Sequence, residues 1–147
     1  MQLTIDGKTA IPREGQSLRE LVAQLGLDSP SLSRRPLAAR IAGEVFTLNY
    51  VPLRQQEGER PSLRRAMAAS GGQVRLLRFG DSTGKEVYTR TAQFVMFLAL
   101  RQLWPEAKGV LSCTLGSSVF VRVEGAPDFS ARRLKERVAA LVAEDIP

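Results

Sequence analysis

LTIDGKTAIPREGQSLRELVAQLG, residues 3–26, decides how the first half of the chain folds. Leu3 and Ile5 alternate with polar neighbours, the period-two pattern of a half-buried strand, and Asp6-Gly7 suits a type I′ turn. The return strand is expected to close at Ile11. Ser17 and Glu20 then stand at capping-box spacing, Leu18, Leu21, Val22 and Leu25 recur at helical intervals, and Gly26 supplies a stop. A hairpin running directly into a short amphipathic helix is therefore predicted.

Downstream, after a loop holding Pro30, Arg34, Arg35 and Pro36, LAARIAGEVFTLNYVPL (37–53) predicts a second hairpin. Its turn is expected at Gly43-Glu44, with Val45, Phe46, Leu48 and Tyr50 beyond it. Residues 54–72 are polar and Arg-rich and read as a loop with one helical turn around Leu63 to Ala69, before QVRLLRF (73–79) forms a last strand. The order strand, strand, helix, strand, strand, strand is that of a small β-grasp domain, one helix across a mixed sheet, over residues 1–80.

From Asp81 the character changes. Asp81-Ser-Thr-Gly-Lys85 reads as a turn-rich linker opening a second module, residues 81–147. In TAQFVMFLALRQLW (91–104), Ala92 and the run Phe94, Val95, Met96, Phe97, Leu98, Ala99 and Leu100 leave little polar face, so this helix is expected to be covered on nearly all sides. Pro105 ends it. GVLSCTLGSSVFVRVEG (109–125) predicts a hairpin turning near Gly116-Ser117, and Ser130 opens a last helix with Leu134, Val138, Leu141 and Val142 inward. The expected fold is thus α+β, a β-grasp domain followed by a helix-hairpin-helix half-domain.

The 147 residues are 44% hydrophobic, enough for a core. No basic segment precedes an apolar run at the start, and no uncharged stretch reaches the roughly 18 to 20 residues of a membrane span, so a cytoplasmic protein without a membrane partner is expected. With one cysteine, Cys113, and no histidine, neither an intramolecular disulfide nor a standard zinc site can be built, and no metal or cofactor is expected.

The net charge of +6 is uneven: residues 1–80 carry 12 basic and 7 acidic side chains, residues 81–147 carry 9 and 8. Arg34, Arg35, Arg40, Arg54, Arg60, Arg64 and Arg65 are candidate phosphate contacts for tRNA or another RNA, because guanidinium pairs bidentately with phosphate. The competing reading is compositional, since 17 of the 21 basic residues are Arg, as a GC-rich genome gives.

No catalytic motif holds. Gly84-Lys85 precedes a helix as in a P-loop, but Phe79 stands where the first glycine belongs and Glu86 where the Mg²⁺-binding Ser/Thr belongs. Cys113 sits between apolar neighbours with no histidine to act as its base, which reads as a buried small hydrophobe rather than a nucleophile. Asp128, Glu136, Glu144 and Asp145 interleave with Arg132, Arg133, Lys135 and Arg137 as on a solvated face. Trp104 reads as a core or interface anchor.

VRLLRFGDSTGKEVYTRTAQFVMFLALRQLWPEAKG (74–109) resembles the junction in threonyl-tRNA synthetases between an N-terminal TGS domain, itself a β-grasp, and the second N-terminal domain. PLAARIAGEVFTLNYVPL (36–53) is similar to TGS strands, and LKERVAALVAEDIP (134–147) looks like the end of a family helix. The resemblance implies that the apolar helix should begin with the H-x-x-x-H pair of the editing site. Arg90 and Phe94 occupy those positions, so the implied editing chemistry is lost. The prefix with replaced histidines also looks like the front of bacterial proteins carrying a uridine kinase-like P-loop domain, for which no motif exists here.

The leading expectation is a non-catalytic RNA- or ligand-binding, regulatory module, not an enzyme, that also contacts a kinase-like domain. Two alternatives stay open: a trans-editing hydrolase of mischarged tRNA, and an oligomerisation module self-associating through residues 92–104, with Phe97, Leu100 and Trp104 at the interface.

Overall fold

The computed structural model describes residues 2–52, 68, 70–116 and 118–144. The chain divides into two compact units, Met1–Tyr88 and Thr89–Pro147. Among the described residues it is a mixed α+β structure with three helices.

The first unit carries a five-stranded mixed sheet in the order β2-β1-β5-β3-β4. Its strands are β1 (Leu3–Ile5), β2 (Lys8–Ala10), β3 (Pro36–Ile41), β4 (Glu44–Phe46) and β5 (Gln73–Arg78). β1 runs antiparallel to β2 but parallel to β5, and β3 is antiparallel to both β4 and β5. Helix α1 (Leu18–Gln24) has the expected capping box: the Ser17 side chain accepts from the Glu20 N–H, and the Glu20 carboxylate accepts from the Ser17 N–H at 2.8 Å. Leu18, Leu21 and Val22 of α1 join Leu3, Ile5, Ala39, Ile41, Val74 and Leu76 of the sheet in one core.

Several expectations are corrected here. The first return strand stops at Ala10, and Ile11 is exposed, because Lys8 to Ala10 already satisfy the ladder of the three-residue β1. The second turn is Ala42-Gly43, since Glu44 pairs with Ile41 in β4. Ala42 takes φ of 50° and Gly43 89°, just as Asp6 and Gly7 take 45° and 83° in the first turn, so both loops have the positive φ at both central residues that a type I′ turn requires. Leu48 and Tyr50 lie beyond β4 in irregular chain yet are buried in the core. The helical turn expected around Leu63 to Ala69 lies, apart from Ala68, outside the described residues.

Of the expected linker at 81–85, residues 82–85 are instead the first turn of a 22-residue helix, α2 (Ser82–Leu103). The turn from β5 is tight: the Asp81 N–H donates to the Arg78 carbonyl and the Lys85 N–H to the Asp81 carbonyl. A Cβ at Gly84 would collide with the Arg78 carbonyl, so only glycine lets α2 start so close to the end of β5.

The second unit contains the rest of α2, the hairpin β6 (Lys108–Leu115) and β7 (Ser118–Glu124), and α3 (Ala131–Ala143). β6 lies against α2 at Gly109, where a Cβ would meet Phe97 and Leu100. Ser130 caps α3, its hydroxyl accepting from the Arg133 N–H. Leu141 is buried as expected, but Val142 is 65% exposed and Phe94 68% exposed, so this unit covers its apolar positions less completely than the sequence pattern predicts. Cys113 is exposed rather than buried, because a two-stranded sheet has an outer face on which none of the described residues of this unit is laid.

Replacing Leu76, which is 1% exposed, by Ala is expected to cost about 2–5 kcal/mol, whereas Phe94→Ala should change stability by less than about 0.5 kcal/mol. Urea denaturation of the two variants checks the contrast.

Candidate functional site

Charged side chains gather where β1 and β5 run out and α2 begins. β1 ends at Ile5, while β5 continues to Arg78, so the upper part of β5 has no β1 backbone beside it. Asp6 takes its place: its Oδ1 accepts from the Leu76 N–H at 2.9 Å and its Oδ2 from Arg78 Nη1 at 2.7 Å. Arg78 Nε also donates to the Arg34 carbonyl at 3.1 Å, which ties the loop before β3 to the same point.

Asp81 is the second carboxylate. Its Oδ2 accepts from the Arg78 N–H at 2.8 Å and its Oδ1 from Arg75 Nη2 at 3.1 Å. The hydrogen bond from the Arg78 N–H holds its carboxyl below the ordinary range, with the Arg75 and Arg78 charges adding to the effect and partial burial opposing it. Glu20 is lowered likewise, first by the Ser17 N–H and then by the Ser17 hydroxyl.

Arg40 and Arg75 are direct partners in the β3–β5 register, so both side chains leave the same face of the sheet. Arg40 Nη2 donates to the Thr83 hydroxyl at 2.7 Å, and its Nε is buried with no hydrogen-bond partner. Two hollows open beside this cluster. One, about 370 Å³, lies among Asp6, Ser33, Arg75, Arg78 and Asp81; the other, about 390 Å³, among Asp6, Arg40, Ala42, Ser70, Gln73 and Arg75.

Of the arginines singled out in the sequence, Arg40 enters this cluster by its side chain and Arg34 by its backbone carbonyl. Arg35 is exposed and donates from Nε to the Ser29 carbonyl at 3.3 Å. Arg54, Arg60, Arg64 and Arg65 lie outside the described residues. Asp6, Arg75, Arg78 and Asp81 were not singled out as a site. The alternation Val74-Arg75-Leu76 carries a signal, since it sets Arg75 opposite the core face, but its meeting with Arg40 depends on the strand register.

In the second unit, Arg90 and Phe94 are exposed on α2. Leu100 and Trp104 are buried and Phe97 is half-buried. Trp104 Nε1 donates to Asp128 Oδ1 at 3.0 Å, and its ring lies 5.2 Å from Phe129 and 5.4 Å from the Arg133 guanidinium. The acidic residues of this region form exposed ion pairs, Arg132–Glu136 at 3.8 Å, Arg133–Asp128 at 3.6 Å and Arg137–Glu144 at 3.0 Å; Asp145 lies outside the described residues. Among the described residues no helix is long and apolar enough to cross a membrane.

No protein-family model matches the chain. It is similar to threonine–tRNA ligases. It is 25% identical to that of Desulforamulus reducens over 122 residues, 81% of this chain and 17% of the relative. It is 23% identical to that of Syntrophomonas wolfei over 145 residues, 97% and 20%. With the ligase of Symbiobacterium thermophilum it shares 28% identity over 115 residues, 78% and 15%. The chain thus spans at most 20% of the length of these curated relatives.

Because the Asp81 pKa is depressed in the folded state, its stabilisation is fully present above the ordinary value of 3.8 and is lost as pH falls through the folded value. Asp81→Asn should therefore lose less stability than the parent between about pH 7 and about pH 2. Urea melts at the two pH values test this, and equal losses would contradict it.

Proposed function

We propose that this chain is a non-catalytic RNA-binding, regulatory module of the kind that stands at the front of threonyl-tRNA synthetases. In this reading residues 1–80 form a TGS-type β-grasp domain and residues 81–147 a degenerate counterpart of the synthetase second domain. The single observation that carries the proposal is similarity to threonine–tRNA ligases over 78–97% of the chain, which includes both units. The sheet order β2-β1-β5-β3-β4 with α1 packed on one face supports the β-grasp assignment. The arginine surplus of the first unit supports an RNA partner, since backbone phosphates are met chiefly by Arg and Lys.

The lack of histidine, with Arg90 and Phe94 where the editing pair is expected, supports binding without turnover: phenylalanine neither ligates a metal nor exchanges a proton. The kinase-associated form of this prefix is the preferred context, and a phosphoryl-transfer domain there would belong to other parts of a polypeptide. The cytoplasm is the compartment such a role requires.

Bulk tRNA titrated into the chain across a salt series is the test. Binding should be saturable, with log affinity falling linearly in log salt, and Arg34→Gln with Arg35→Gln should flatten that slope by about 1 per residue. No binding at low salt would refute the RNA reading. Deacylation of mischarged threonine-family tRNA should stay at background; turnover above it would overturn the non-catalytic assignment.

A further inference from the structure

We infer that the hollow walled by Arg40 and Arg75 is a phosphate-binding site for a nucleotide, a site that rests on the RNA reading for the source of its ligand. The shared chemistry is a phosphate carried either by a free mononucleotide or by an RNA.

The argument begins with charge that is left over. Arg40, Arg75 and Arg78 face two carboxylates, Asp6 and Asp81, and both carboxylates are already committed, Asp6 to Arg78 and the Leu76 N–H, Asp81 to Arg75 and the Arg78 N–H. Arg40 has no carboxylate partner among the described residues. Its guanidinium is held by one neutral hydroxyl, Thr83, while its Nε is sealed from solvent without an acceptor. A partly buried cation without a counter-charge is unfavourable, and the Arg75 charge directly across the ladder makes it more so. An anion between the two guanidinium groups relieves both costs.

Shape and donors then select the anion. Beyond the bonds to Thr83 and Asp81 the two guanidinium groups keep further N–H donors, more than the two oxygens of one carboxylate can accept, and guanidinium donors suit the oxygens of a phosphate. Ser70 and Gln73 add polar side chains to the wall, and a volume of about 390 Å³ accommodates a phosphate with part of its nucleoside.

The test uses the whole isotope-labelled chain, titrated separately with inorganic phosphate, adenosine monophosphate, acetate and tRNA. Phosphate and the mononucleotide should produce saturable amide shifts at Ala42, Gln73 and Arg75 and raise the melting temperature. Arg75→Gln, at a side chain 67% exposed and therefore compatible with folding, should weaken phosphate binding about tenfold or more. Arg40→Lys, which keeps the charge but removes the fork, should also weaken it, while Arg132→Gln in the second unit should not. The site is overturned if the parent shows no saturable phosphate shift, if Arg75→Gln binds phosphate as well as the parent, or if acetate binds equally well. Mononucleotide binding without tRNA binding supports the site and removes the RNA reading. Binding of tRNA with equal affinity to parent and Arg75→Gln, with no phosphate shift, retains the RNA reading and overturns the site.

Discussion

The parallel pairing of β1 with β5 is the constraint on which the first unit depends, and Asp6 makes it possible. β1 is three residues long and its ladder with β5 ends at Ile5 opposite Val74. The Leu76 N–H beyond that point would otherwise lack an acceptor, and an unpaired, partly buried amide costs about 1–3 kcal/mol. The Asp6 carboxylate supplies the acceptor and pairs with Arg78, 72 residues further along the chain. The same residue holds the first central position of a turn with positive φ, a conformation that Asp tolerates better than most side chains. One residue therefore closes the hairpin, extends the central ladder and anchors the end of β5.

From that anchor the start of α2 follows. Arg78 is fixed by Asp6 and by the Arg34 carbonyl, its backbone N–H is fixed by Asp81, and Gly84 allows the helix to pass close to its carbonyl. The Arg40–Thr83 hydrogen bond belongs to the same arrangement, since Thr83 lies in the first turn of α2. The cost of the arrangement is electrostatic. Three arginines meet two carboxylates there, and among the described residues Arg40 is left without one.

The two units differ in how completely they cover their apolar residues. In the first, α1 lies on a five-stranded sheet and a single core encloses Leu3, Ile5, Leu21 and Ile41 at 0% exposure. In the second, a two-stranded hairpin has only one face to offer α2 and α3. Val119, Val121 and Val123 alternate inward, leaving Phe120 half exposed on the other side with Leu115 at 72%. Such a hairpin is marginal unless something packs on it, and here Phe97 and Leu100 of α2 approach it at Gly109.

The order of elements, the capping box at Ser17 and Glu20, the turn at Asp6-Gly7, the second hairpin and the last helix at Ser130 were all readable in the sequence, because each rests on interactions among residues a few positions apart. The sequence also supplied the arginine surplus and the lack of histidine, which narrow the chemistry without locating it. Tertiary structure alone decided that Glu44 joins β4 and moves the turn to Ala42-Gly43, that residues 82–85 are helix rather than linker, and that Cys113 is exposed. It alone decided that Asp6 meets Arg78 and that Arg40 faces Arg75. The physical reason is the same in each case: strand register and the coverage of a sheet face are set by partners dozens of residues away, and no local pattern encodes which partner arrives.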